Sequence, residues 1–284
     1  MSITAQVERF VAMGTRIELY VFGADHAAAM IAARRAIERV DDALTIHRPS
    51  PTTAVNDALL AGRGVAIDDP VLIEALVAIE EVHAETEGAF DPSADRRFGG
   101  AGWGDLMFDR RAAKLFALKP LALDFGGIGK GIALDRACAA LRDAGVASAC
   151  LSAGESSIAV VGKHPLGGGW PFAIPHPRGG DVVLVELEIV NEALSISTTV
   201  GAGTQAPERA AMIRPSDGAI MTAARCAVVV DRNGGRAEAL STALLVADDD
   251  LAQRLLHRGA ARRFLYDLSQ EAAPTVDVVR MQAV

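Results

Sequence analysis

Along the chain the apolar positions switch repeatedly between a period of two and a helical period, the pattern of mixed strands and helices. Met13, Thr15, Ile17, Leu19 and Val21 alternate with more polar neighbours and predict an early strand. Met30, Ala33, Ile37, Val40 and Leu44 have helical spacing and predict a helix over about 25–44. Two prolines mark 47–53 as a loop. Val71, Leu72, Ala75, Leu76, Ile79 and Val82 predict a second amphipathic helix that stops near Gly88. A Gly- and Arg-rich loop then runs to about Trp103.

Residues 121–150 read as strand, Gly-rich turn, helix and strand. Residues 121–125 are a short apolar run, 126–131 the turn and 132–144 the helix, with Gly145 as its C′ cap. Further strands are expected at 146–152, 159–161, 182–190, 226–230 and 264–266, and helices at 237–246 and 251–256. There is no internal repeat and no low-complexity linker, so 1–284 reads as one domain or two intimate lobes.

Composition narrows the function classes. The 284 residues are 50% hydrophobic and 23% charged, with a net charge of -8. An acidic chain without a basic stripe is a poor partner for nucleic acid. An anionic ligand would need local compensation from a helix N-terminus, a lysine or a metal ion. Cys138, Cys150 and Cys226 make no CxxC pair and predict buried thiols rather than a disulfide framework or zinc site. No signal peptide and no membrane-spanning run is visible, so the expected location is cytoplasmic, or that of an exported form lacking its signal.

Two constellations carry candidate chemistry. The turn Gly126-Gly-Ile-Gly-Lys-Gly131 is neither a P-loop nor a full dinucleotide fingerprint. It is read as a phosphate cradle completed by Lys130, or as a tight turn that needs glycine dihedrals. Asp124 before it would cap the turn or accept from a ligand. Glu238, Ser241 and Thr242 share one helix face, where carboxylate and hydroxyl could hold a hard cation; the alternative is an ordinary helix start. The six histidines form no metal or catalytic motif, and no serine-hydrolase elbow is present. Trp103 and Trp170 would stack on a ligand ring or pack in the core or a lid.

In order, Met13-Gly14-Thr15, a Pro/Ser loop ending in Asn56, residues 86–92, residues 123–135, the Gly154 turn, residues 193–197 and residues 237–243 resemble the FAD:protein FMN transferase family. This is the ApbE family, also called the thiamine-biosynthesis lipoproteins. The resemblance runs from about Ala12 to about Leu265. It implies an α+β, T-fold-like architecture of antiparallel-rich sheets with packed helices. It also implies transfer of FMN from FAD to a Thr or Ser hydroxyl of a target flavoprotein, with AMP release. By position, Met13, His47, Ala89, Phe90, Asp91, Asp124, Lys130 and Ile213 would contact FAD. Gly127, through its carbonyl, with Glu238 and Thr242 would hold Mg²⁺, or the larger Ca²⁺.

The chain departs from that pattern at three places. Glu238 stands where the family has its metal aspartate. Ala211 and Arg214 stand where the family has a histidine and an aspartate, and Gly154-Glu155-Ser156 replaces a Gly-Gly-Asp run. Losing a general base costs about 10²–10⁴-fold in rate. The alternatives are therefore a non-catalytic FAD binder and a metal-dependent FAD pyrophosphatase in which water replaces the acceptor.

Overall fold

In the computed structural model, residues 4–23, 25–94, 101–177, 182–200 and 212–269 are described. A hairpin opens the chain: β1 (Ala5–Ala12) and β2 (Thr15–Phe22) pair antiparallel around Met13 and Gly14. These two residues have φ of 55° and 66°. Positive φ at both central positions is what a two-residue hairpin of matching twist demands. The expected strand therefore begins at Thr15, because Met13 and Gly14 are the turn.

β2 continues a seven-stranded sheet in the order β1-β2-β6-β7-β10-β11-β12. The later strands are β6 (Ser148–Ala153), β7 (Ser157–Gly162), β10 (Ala193–Thr198), β11 (Arg225–Asp231) and β12 (Arg262–Asp267). Every neighbouring pair is antiparallel. In β11, Ala227 and Val229 join the helix-side core, while Cys226, Val228 and Val230 join a second core. Burial on both faces explains why this strand is a continuous apolar run.

Helices cover one face: α1 (Ala27–Leu44), α2 (Pro51–Leu60), α3 (Pro70–Glu85), α4 (Gly129–Asp143), α5 (Gly234–Val246) and α6 (Asp249–Leu256). On the other face lies a two-stranded ribbon of β8 (Trp170–Pro175) and β9 (Val183–Ile189). There Trp170, Ile174, Leu187 and Ile189 pack with Val160, Leu194 and Tyr266. A small sheet, β3 (Val65–Ala66), β5 (Lys114–Ala117) and β4 (Leu106–Asp109), completes the α+β architecture.

Three expectations need correction. The loop over 47–53 ends at Ser50: its Oγ accepts from Thr53 N–H at 3.0 Å, and Pro51 starts α2. A proline at the first helical position loses only an N–H that has no intrahelical partner. Residues 121–125 are extended but are not a strand. There the Asn56 amide acts as the pairing partner, donating to Leu123 O at 2.9 Å and accepting from Leu123 N–H at 2.8 Å. Third, the glycines of the 126–131 turn do not have positive φ. Close approach, not dihedral freedom, is what requires them.

The predicted cap of α4 is present. Gly145 has φ 77°, with Val146 N–H donating to Leu141 O and Gly145 N–H to Arg142 O, both at 2.9 Å. This double bond pattern satisfies the last carbonyls of the helix.

Candidate functional site

The site is built where the N-termini of α4 and α5 cross. A Cβ on Gly131 would lie 2.2 Å from Gly234 O, so only glycine lets the two backbones meet. α5 begins at Gly234 because Asn233 Oδ1 accepts from Arg236 N–H at 2.7 Å. Asp135 on α4 accepts from Gly234 N–H at 2.7 Å and Gly235 N–H at 3.0 Å. Burial pushes the Asp135 carboxyl up to about 6, against the pull of those two N–H groups.

This crossing sets Glu238 against the 126–131 turn. Glu238 is buried, with 3% of the residue exposed. Its Oε1 is paired with Lys130 Nζ, and its Oε2 accepts from Gly131 N–H at 2.7 Å. Ser157 Oγ from β7 approaches Oε1 at 3.5 Å. One turn further along α5, Thr242 Oγ1 donates to Glu238 O at 3.0 Å. A Cβ on Gly127 would lie 3.4 Å from Thr242 Oγ1 and 3.1 Å from Phe90. Behind this face, Ser241 Oγ is hydrogen-bonded to Ser195 Oγ at 2.9 Å and Ser197 Oγ at 2.8 Å.

Met13 closes the other side, its Cε 3.0 Å from a Cβ placed on Gly129. Its N–H donates to Asp41 Oδ1 at 3.0 Å, and Asp41 Oδ2 accepts from Arg48 at 2.9 Å. Asp41 thus ties the Met13 turn to the loop that carries His47.

The sequence-predicted residues divide accordingly. Met13, Phe90, Gly127, Lys130, Glu238 and Thr242 converge on the turn. Asp124 is exposed at its entrance, and its Oδ1 accepts from Gly126 N–H at 2.8 Å, the turn-capping role. Ala89 and Phe90 are buried. Asp91 is committed internally: Oδ1 accepts from Ser93 N–H at 2.8 Å and Ser93 Oγ at 2.6 Å, and Oδ2 from Trp103 N–H at 2.9 Å. Trp103 is a core residue beside His83, whose imidazole is held down by burial against the opposing field of Asp91. His47 is exposed, its N–H donating to Thr45 Oγ1 at 3.3 Å. Ile213 lies in a separate hairpin, bridged to Ile220. In that hairpin Arg214 is paired with Asp217 at 3.0 Å. Ala211 lies outside the described residues.

The family model for ApbE matches residues 13–264, nearly the whole chain. The chain belongs to the ApbE family. It is 27% identical to the FAD:protein FMN transferase of Rhodobacter capsulatus over 91% of its own length. It spans 54% of that relative, about half its length. Its fold matches the apo flavinyl transferase ApbE of Pseudomonas stutzeri with TM-score 0.82 and 21% identity, covering 97% of this chain and 95% of that one. The ApbE flavin transferase of Vibrio cholerae matches with TM-score 0.80 and 18% identity, covering 94% of each chain. The ApbE protein of Thermotoga maritima matches with TM-score 0.77 and 21% identity, covering 93% and 94%.

Within this ApbE chain, sequence reasoning missed Asp41, Ser157 and Asp135. Asp41 and Ser157 carry no local signal. Asp135 does sit in the motif over 123–135, but its role as a cap for α5 depends on a helix 99 residues further on. The three thiols are unpaired, and burial pushes each up to about 12, so none is a nucleophile at neutral pH. Among the described residues no helix is long and apolar enough to cross a membrane.

Proposed function

We propose that this protein binds FAD at the α4–α5 crossing and transfers its FMN half to a Thr or Ser hydroxyl of a target flavoprotein, releasing AMP. The observation that carries the reading is the convergence of Lys130, Gly127 and Thr242 at the N-terminus of α4, within a chain of the ApbE family. A pyrophosphate there would meet the positive end of a helix dipole and one ammonium, the local compensation that an acidic protein requires. Met13, half-buried, and Asp124, exposed, are open to a ligand as they stand. Ala89 and Phe90 are buried, so contact through them would run along the backbone.

A divalent cation, Mg²⁺ or Ca²⁺, would be held by Glu238, Thr242 and the Gly127 carbonyl. Those oxygen donors suit a hard cation in kind, and Mg²⁺ sites commonly pair one or two protein carboxylates with substrate phosphate. Among the described residues no group of three or more His, Cys, Asp or Glu could form a protein-only cage. Once bound, the ion would neutralise charge on the pyrophosphate.

In the transfer, the acceptor oxygen forms a bond to the FMN phosphorus as the anhydride bond to AMP breaks, and the hydroxyl proton leaves to a base. Ala211 supplies no such base, and both Asp91 oxygens are engaged by Ser93 and Trp103. Transfer is therefore expected to be slow, by about 10²-fold or more against an enzyme with a positioned base. The test is incubation with FAD, MgCl₂ and a threonine-bearing acceptor peptide. A covalent yellow adduct with equimolar AMP is expected. AMP without adduct would make water the acceptor, and intact FAD throughout would leave only a binder; either result removes the transferase reading.

A further inference from the structure

The buried Glu238 carboxylate bears the one full negative charge of the proposed cation site, and it is already neutralised. Lys130 Nζ occupies Oε1 and Gly131 N–H holds Oε2 at 2.7 Å. The glutamate makes this possible. Its side chain spans from α5 to the backbone of α4.

A dication added to this arrangement would face an ammonium at the same carboxylate, with its own charge uncompensated. Two charges of one sign cannot share one buried carboxylate without a large penalty. Lys130 is the partner that can yield. Its side chain is 21% exposed, against 4% for Glu238. It sits in the first turn of α4, on the side where a pyrophosphate would dock.

We infer that Lys130 is an exchangeable occupant of the cation position, neutralising Glu238 in the ligand-free protein and swinging to the pyrophosphate when a divalent cation enters. The inference deepens the cation-assisted reading of the site and rests on it. Cation and dinucleotide then bind as a linked pair: each creates the charge that the other needs, and linkage makes the coupling reciprocal. Thr242 and Gly127 complete the cation's oxygen shell without change of partner, since the Thr242 hydroxyl proton is already given to Glu238 O.

The experiment is Mn²⁺ titration by electron paramagnetic resonance on the intact chain, with and without FAD, checking by chromatography that the FAD is unbroken. In the wild type, FAD should tighten Mn²⁺ binding about tenfold. Lys130→Met removes the competitor, so Mn²⁺ alone should bind about tenfold tighter than to the wild type, and the gain from FAD should shrink. Equal Mn²⁺ affinity with and without FAD in the wild type would overturn the inference, as would unchanged affinity in the variant. Should Lys130→Met not fold, acetylation of the wild type read by mass spectrometry serves instead. Lys130 should be protected relative to exposed Lys114 and Lys163, and Mg²⁺ with FAD withheld should raise its labelling several-fold; no rise overturns the exchange. Absence of Mn²⁺ binding to every form would sink the cation reading itself. Linkage without FMN transfer to any acceptor would sink only the transferase reading.

Discussion

Two charge clusters sit on α5 two residues apart, and they are built on opposite plans. At Arg236 the partners are over-determined. Glu85 accepts from both Arg236 and Arg263, Arg236 is also paired with Asp231, and Arg263 donates to Leu255 O at 2.7 Å. This cluster locks α3, α5 and β12 together. At Glu238 the carboxylate has one ammonium and one N–H, with a hydroxyl at the limit of contact. The first cluster has no room for exchange, whereas the second has a partner that can leave. On one helix, redundancy marks the framework and a single removable partner marks the site.

Removing Arg263 should break the contrast most severely. Its side chain is 0% exposed and Glu85 beside it 17% exposed. Burial pushes the Glu85 carboxyl up, but Arg263 and Arg236 outweigh it and hold it below its usual range. Arg263→Met leaves Glu85 to Arg236 alone and also takes away the side-chain donor to Leu255 O in a fully covered site, a loss of about 3–4 kcal/mol. Urea denaturation should register this, with FAD affinity of the folded fraction unchanged. A change in FAD affinity larger than the change in stability would show that the two clusters are not separate.

Asp135 lies between the plans, a half-buried carboxylate held by two backbone N–H groups. Its folded pKa of about 6 is raised from 3.8. The folded state therefore holds the proton more tightly than the unfolded chain. The resulting stability is complete below about pH 4 and is lost as pH rises through about 6. Compared with Asp135→Asn, the wild type should lose about 2–3 kcal/mol between pH 4 and pH 7, by the usual conversion of pKa shift to free energy. Thermal unfolding of both proteins across that range measures it. A flat difference would mean that water reaches the carboxylate.

How much of this was legible in the sequence differs by region. The helix period carried α1 and α3, whose apolar residues face one core. The residues of 123–135 and the Glu238–Thr242 face were picked out through the family resemblance, since spacing alone left each open between a site and an ordinary turn or helix start. The small β3-β5-β4 sheet was not legible, since its strands are two to four residues long and too short for an alternating pattern. Residues 121–125 have the composition of a strand, yet a side-chain amide from α2 supplies their partner. For the glycines of the turn the sequence left two readings open, a phosphate cradle and a need for unusual dihedrals, and the second does not hold. What requires these glycines is contact with Phe90, Met13 and the Gly234 backbone, which only the tertiary structure reveals. Likewise the Lys130–Glu238 pair joins residues 108 apart, so nothing local announces that the candidate cation ligand already has a cation.

The smallest stability effect is expected at that pair, and its smallness is the point. Lys130 is 21% exposed where Arg263 is fully covered, so water at the open edge of the site can reach part of what its ammonium leaves at Glu238 Oε1. Gly131 N–H remains on Oε2. Lys130→Met should therefore cost about 2 kcal/mol in urea denaturation, less than the Arg263 loss because water at the open edge can take over part of the contact. FAD binding by fluorescence quenching should nonetheless weaken about tenfold or more, because a desolvated ammonium–phosphate contact is lost. A variant that loses as much stability as Arg263→Met would place Lys130 in the framework instead, and the contrast between the two clusters would fall.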